Sequence, residues 1–292
     1  MYLFKNELMD IQSWNKKGKI FKHHQASLRF IREGKGETLV LIHGFPTSSW
    51  DYAWIFPELI QQFDCFCADL IGLGYSSTTA KSISISDQAQ ALEALLIANG
   101  VTSAHILAHD LGDTVALELL SRRTAGKGAI EWLSCTLMNG GIFQETNRPR
   151  LIQKLLNSPL GPLIGQLSSK RTYVKTMRRI FGKATQPTKL FLDTSWTILL
   201  NNNGRRMIPV ISNYLTERKR HKSRWEVPMF NPTIPMAMIN GVEDPISGRT
   251  TAERFQAKVP NSITVKLPLG HYPHVEDPAA VLNAFNNFHK SP

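Results

Sequence analysis

The run Ala108-His109-Asp110-Leu111-Gly112 decides how this chain reads. The apolar segment His105-Ile106-Leu107-Ala108 leads into it, and Asp113 to Leu120, rich in helix-forming residues, leads out. A small residue, then a functional one flanked by variable ones, then glycine, set between a strand and a helix, describes a tight turn. Such a turn lifts one side chain above the sheet edge. A serine there would serve acyl transfer. Asp110 stands there instead, and a carboxylate attacking an acyl carbon would give a mixed anhydride. A saturated carbon bearing a leaving group is the better target, because attack yields an alkyl ester that water then hydrolyses. The residue type points to epoxide opening or dehalogenation. An aspartate on this turn could instead cap the helix that follows it.

Two further signals follow in the order nucleophile, acid, histidine. Asp244 lies in Gly241-Val242-Glu243-Asp244-Pro245, after an apolar strand-like run, and His271 lies in Leu269-Gly270-His271-Tyr272-Pro273, after the last one. Either stretch alone also fits an ordinary turn or loop. In alternating strand–helix folds, functional groups gather at the carboxyl ends of the strands, so residues far apart in sequence meet. Asp110 would then attack carbon, His271 would deprotonate the hydrolytic water, and Asp244 would orient the imidazole and stabilise its cation. The backbone N–H groups of Phe45 and Leu111 would hold the oxyanion. Glu243 and His274 are rivals of Asp244 and His271. His43 and His109 are expected to fasten loops by hydrogen bonds, and Asp113 to sit in the first turn of the helix, where an acid suits the dipole.

Segments that read as strands alternate with helical ones in the first half. Lys19–His23 and Ser27–Ile31 suggest a hairpin, Thr38–His43 a buried strand, Trp50–Phe63 a helix and Cys65–Asp69 a strand. Ser86 is the expected cap of a helix that reaches Asn99 and ends at Gly100, and Trp132–Met138 reads as another strand. The alternation resumes at Pro235–Asn240, Arg249–Ala257, Ser262–Leu267 and Pro278–Phe288. This pattern implies a mostly parallel sheet with helices on both faces. Residues 141–234 interrupt it with helical or irregular sequence. The expected organisation is a core from 1–140 and 235–292, with 141–234 as a helical lid.

Composition narrows the class. The chain has 292 residues, 42% of them hydrophobic and 9% aromatic, ordinary proportions for a globular enzyme. No apolar run nears the roughly 20 residues that span a bilayer, and Met1–Asp10 lacks the pattern of a secretion signal. Cys65, Cys67 and Cys135 lie in strand-like segments, and Cys65 and Cys67 would face opposite sides of a strand. That suits neither a disulfide nor a metal clip and fits a reducing, cytoplasmic setting. The net charge of +11 is concentrated: Gly141–Pro235 holds 17 Lys and Arg against 4 Asp and Glu, a balance of +13, while the rest is at −2. The densest cluster is Arg218-Lys219-Arg220-His221-Lys222-Ser223-Arg224. It reads as a solvated basic face or as a weak contact with anionic membrane. No nucleic-acid-binding motif accompanies it, so no nucleic-acid partner is expected.

His43-Gly44-Phe45-Pro46, the Asp110 turn and Gly270-His271-Tyr272-Pro273 together resemble the epoxide hydrolase and haloalkane dehalogenase branch of the α/β-hydrolases. Asn139 to Pro149, His109 to Asp113 and His271 to Pro278 resemble more particularly the mesoderm-specific transcript group within that fold. The resemblance covers nearly the whole chain. It implies an α/β-hydrolase fold with an eight-stranded, mostly parallel sheet and a helical lid insertion. It also implies a small apolar substrate and no metal or organic cofactor. The branch's dehalogenases place halide-binding Asn and Trp where Phe45 and Leu111 stand here. Its epoxide hydrolases use two lid tyrosines as proton donors, and the insertion offers Tyr173 and Tyr214. Epoxide hydrolysis is the leading expectation. The alternatives are a haloalkane or haloacid dehalogenase, another hydrolase, and a weakly catalytic protein that binds a lipid or signal molecule.

Overall fold

Nine strands form a single sheet among the described residues, and the eight main ones lie in the spatial order β1-β2-β4-β3-β6-β7-β8-β9. In chain order they are β1 (Lys19–His23), β2 (Ala26–Gly34), β3 (Thr38–Ile42), β4 (Asp64–Ala68), β5 (Ser77–Thr78), β6 (Ser103–His109), β7 (Glu131–Met138), β8 (Met236–Gly241) and β9 (Ile263–Leu267). The two-residue β5 pairs on β2 beside that path. The computed structural model describes residues 10–146, 148, 151–156, 158 and 160–290. The expected signal-free N-terminus, apart from Asp10, and Asn147 and Pro149 of the quoted run lie outside them.

The hairpin β1–β2 and the pair β2–β4 are antiparallel, and every pairing from β4 to β9 is parallel. A parallel sheet must be covered on both faces, so its strands read as continuous apolar runs. Leu39, Val40, Leu41 and Ile42 of β3 are all buried, as are Ala104, Ile106, Leu107 and Ala108 of β6. Cys65 and Cys67 are both buried for the same reason, since β4 is an interior strand.

Two local expectations need correction. Trp50–Phe63 is not one helix. A 3₁₀ segment, Ser49–Trp54, is followed by a four-residue helix, Phe56–Leu59. Ser48 caps the first piece by accepting from the Trp50 N–H, and Pro57 lacks the N–H that a continuous helix would need. The helix Ile85–Ala98 is capped by Ser84 rather than Ser86. The Ser84 hydroxyl accepts from Asp87 N–H at 3.1 Å while the Asp87 carboxylate accepts from Ser84 N–H at 2.8 Å. That reciprocal box satisfies two orphan donors, which a cap at Ser86 would not do.

Between β7 and β8 the described chain is helical: Leu151–Leu156, Gly161–Gln166, Lys170–Ile180, Lys189–Leu200, Gly204–Ser212, Tyr214–Arg220 and Lys222–Phe230. These helices bury Phe191, Trp196, Ile208, Tyr214, Trp225 and Met229. No helix among the described residues is long and apolar enough to cross a membrane.

Candidate active site

Asp110 joins β6 to the helix Leu111–Thr124 with φ +48° and ψ −105°. A non-glycine residue at positive φ and this ψ is strained, by roughly 1–3 kcal/mol. The turn is closed by the Asp110 N–H donating to the Met138 carbonyl at 3.0 Å. Gly112 lets the helix start against β3. A Cβ at Gly112 would lie 2.2 Å from the Ile42 carbonyl oxygen. The Asp110 side chain makes no capping hydrogen bond to the helix it precedes, so the capping alternative does not apply. Its Oδ2 accepts instead from the Phe45 N–H at 3.1 Å. Leu111 is the first helical residue, so its N–H belongs to the first turn, which has no intrahelical acceptors.

His271 follows β9 and meets this carboxylate, with its Nε2 4.0 Å from Asp110 Oδ2. Its Nδ1 lies 2.8 Å from Asp244 Oδ2. An acceptor-only carboxylate at Nδ1 places the proton there in the neutral ring and leaves Nε2 free to take one. Asp244 is itself held on several sides. It accepts from Ile246 N–H at 2.8 Å, Ser247 N–H at 3.1 Å, Ser247 Oγ at 2.8 Å and Asn139 Nδ2 at 3.0 Å. Burial opposes charge on His271, but the carboxylates of Asp244 and then Asp110 outweigh it and raise its pKa to about 9. Burial likewise opposes charge on Asp244, and His271 with the hydrogen bonds still holds it below the usual carboxylate range.

The structure brings Asp110, His271, Asp244 and the Phe45 N–H together at the ends of β6, β9, β8 and β3. The rivals lie elsewhere. Glu243 is exposed and accepts from Lys183 N–H at 3.0 Å. His274 is buried against Tyr52, with ring centroids 5.0 Å apart, and burial holds its imidazole neutral. His43 and His109 fasten loops as expected: His43 Nε2 accepts from Leu70 N–H at 2.9 Å, and His109 Nε2 donates to the His271 carbonyl at 2.7 Å. Asp113 sits in the first turn of the helix, as expected. It is fully buried, accepts from Met138 N–H at 3.2 Å, and burial raises its pKa well above the ordinary value, so it adds no second negative charge beside Asp110.

Three positions around the candidate site escaped sequence reasoning. Arg218 was grouped with the solvated basic cluster, yet it is buried. Its Nη2 donates to the Asp110 carbonyl at 2.9 Å and lies 3.8 Å from Asp110 Oδ1, and its Nε donates to Thr114 Oγ1 at 2.7 Å. The cluster is further dispersed by pairs from Arg224 to Glu118 at 2.7 Å and from Lys222 to Glu145 at 3.3 Å. Asn139 and Ser247 are the others. Asn139, at φ +49°, donates to Asp244 while its Oδ1 accepts from Gly241 N–H at 2.8 Å, tying β7 to β8. Its place at the start of Asn139-Gly140-Gly141, in the stretch that carries the resemblance, was the available signal. Nothing in the sequence marks Arg218 as different from its neighbours.

A cavity of about 290 Å³ reaches Phe45 and His271, the two residues that face the Asp110 carboxylate, although Asp110 itself does not line it. Phe45 and His271 line it from the core side. Leu156, Ile164, Tyr173, Met177, Trp196 and Ile208 line it from the helices between β7 and β8. Among the described residues no Lys, Arg, Asp or Glu does. Tyr173 donates its hydroxyl to Ser195 Oγ at 2.9 Å, and burial raises its pKa, so the phenol stays neutral. Tyr214 does not line the cavity. It packs on the Phe45 ring, centroids 5.9 Å apart, and the Arg218 guanidinium lies over the Tyr214 ring, 4.6 Å from its centroid. Asp51, His109 and His274, all buried behind His271, place ligand-type atoms within 4.8 Å of one another. Burial raises the Asp51 pKa well above the usual carboxylate range and pushes that of His109 down to about 3.

The sequence and the structure both have known counterparts. The model of the alpha/beta hydrolase family matches residues 39–284. The mesoderm-specific transcript protein of Mus musculus is 35% identical over 294 residues, spanning 95% of this chain and 87% of that protein. A soluble epoxide hydrolase of Corynebacterium sp. (strain C12) is 31% identical over 99 residues, 32% of this chain and 35% of its own. Among solved structures, a loop variant of a haloalkane dehalogenase from Bradyrhizobium elkanii superposes with a TM-score of 0.76 at 17% identity, covering 93% of this chain and 95% of that one. With a family match across most of its length and the parallel sheet that the match implies, the chain belongs to the alpha/beta hydrolase family.

Proposed function

We propose that this hydrolase opens apolar epoxides through an alkyl ester on Asp110, with residues 141–234 acting as the lid over the site. The observation that carries this reading is the Asp110 carboxylate on its strained turn, held by the Phe45 N–H and faced by a histidine that is itself held by Asp244. A carboxylate oxygen of Asp110 attacks an epoxide carbon, the ring C–O bond breaks, and the ring oxygen takes a proton. Tyr173 is the neutral donor that lines the cavity. His271 then takes a proton from water, the resulting hydroxide adds to the ester carbonyl, and the Phe45 and Leu111 N–H groups receive the oxyanion. Collapse breaks the ester C–O bond, the departing alkoxide takes the proton of the new carboxyl group so that the Asp110 carboxylate is restored, and the proton held by His271 returns to Tyr173. The sum is epoxide plus water giving a diol, with no redox step and no cofactor. Phe45 and Leu111 offer no side-chain donor for a halide, which favours the epoxide over the haloalkane.

The uncharged cavity supports a small apolar substrate. Arg218 fits the same cycle as the charge partner of Asp110. Alkylation neutralises Asp110 and strands a buried guanidinium, and ester hydrolysis returns its partner, so the pairing favours breakdown of the intermediate.

Four outcomes are expected. Exposed to a 1,2-epoxyalkane, Asp110→Asn should gain no mass, while His271→Gln should gain one substrate equivalent and stall, as read by intact-protein mass spectrometry. An adduct-free His271→Gln protein with undiminished turnover would reject the assignment. Tyr173→Phe should slow single-turnover alkylation by about 10²-fold, the scale of a lost general acid, and Tyr214→Phe should slow it far less.

The pH dependence follows from His271. In the free protein its pKa is about 9, partly through Asp110. The ester lacks that charge, so decay of the adduct should accelerate with pH through a midpoint below 9 and then level off, because only the neutral imidazole is a base. Decay that slows as pH rises would contradict a base role.

The Arg218 pairing is open to a substrate-free check. Asp110→Asn removes the charge at nearly constant shape. It should cost roughly 1–3 kcal/mol more stability in the parent than in an Arg218→Met background, measured by denaturant unfolding. Additive effects would dissolve the pairing.

A further inference from the structure

Leu151, Leu155, Leu160, Leu163 and Leu167 are between 40% and 73% exposed, an unusual run of large apolar side chains in water. Leu151 and Leu155 are four apart on the helix Leu151–Leu156, and Leu163, on the next helix Gly161–Gln166, is three and four residues from Leu160 and Leu167, which flank that helix. The two helices pack together. Ile164 and Leu167 also line the cavity, so the apolar apron and the cavity mouth are continuous. The next helix, Lys170–Ile180, sends Thr172, Tyr173 and Met177 into the cavity and exposes Arg171, Lys175, Arg178 and Arg179.

We propose that this apron is a docking surface for anionic membrane, from which apolar substrate enters the cavity at Leu167. Exposed leucines on helices that share a cavity wall with a helix of exposed cations combine the two features of helices that lie in the lipid headgroup boundary. The leucines enter the boundary, and each cation near an anionic surface adds attraction that fades within a Debye length. A second copy of the chain fits this surface poorly, because pairing two aprons would also bring two sets of exposed cations together. The docking site lies at the start of the +13 segment, well before the Arg218 cluster, whose leading arginine belongs to the active site. The substrate-entry part rests on the cavity being the substrate cavity. The docking itself does not.

The test is flotation with vesicles of phosphatidylcholine alone and of phosphatidylcholine containing phosphatidylglycerol, at low and high salt. The parent should bind the anionic vesicles about 10-fold or more tightly than the neutral ones, and salt should weaken this. Leu160→Ser with Leu163→Ser should abolish binding. Arg171→Gln, Arg178→Gln and Arg179→Gln together should remove the preference for the anionic lipid. Thermal unfolding checks that both variants remain folded. Equal binding to the two vesicle types, or binding unchanged by the leucine pair, overturns the proposal. So does a concentration-dependent dimer that the leucine pair disperses, which would make the apron a subunit interface. The adduct trap with a water-dispersed epoxide reads the chemistry separately, so either reading fails without the other.

Discussion

Asp110 must hold a left-handed backbone between a buried strand and a buried helix, and the rest of the site is arranged around that demand. The turn costs conformational energy that is offset by its surroundings. The Asp110 N–H reaches Met138, and Gly112 allows the helix to start against Ile42 of β3. Because β3, β6, β7, β8 and β9 are parallel neighbours or near neighbours, their carboxyl ends share one edge. Phe45, Asp110, Asn139, Asp244 and His271 all lie just beyond those ends. The sheet order is thus what converts five distant stretches of chain into one site.

Charge in this buried site is balanced group by group. Asp110 is faced by Arg218 and His271, and Asp244 by His271 with four further donors. The acids without such partners, Asp51 and Asp113, have pKa values raised well above the ordinary value by burial. A buried carboxylate without compensation neutralises rather than persists. The charged partners around Asp110 and Asp244 therefore single them out from Asp51 and Asp113 by environment, although all four are aspartates within the same interior.

The helices between β7 and β8 do two unlike things. Toward the core they supply an apolar wall and one phenol, and through Arg218 they reach the backbone of the Asp110 turn itself. Toward solvent they show leucines and cations together. A sequence reading that treated the basic residues as one population could not separate these uses. Arg218 and Lys219 are adjacent in the chain, yet one is buried beside Asp110 and the other is exposed.

Much was legible beforehand because it is written in local chemistry. The parallel sheet appears as apolar runs, since both its faces are covered. The Asp110 turn appears as small residues where backbones approach, and the acid and histidine appear in chain order after the last two strands. Local pattern also misled: Trp50–Phe63 has helical composition, but Pro57 and the Ser48 cap divide it, and Ser84 outbids Ser86 by forming a reciprocal pair. Tertiary structure alone decided the partners. Which tyrosine lines the cavity, which arginine is buried, and that Asn139 and Ser247 hold Asp244 depend on contacts across roughly 100 residues or more of chain, or on the exact turn of a loop. Residue type and spacing carry the propensities of an element, whereas burial and pairing belong to the packed interior, where each side chain's energy is set by neighbours that sequence order does not reveal.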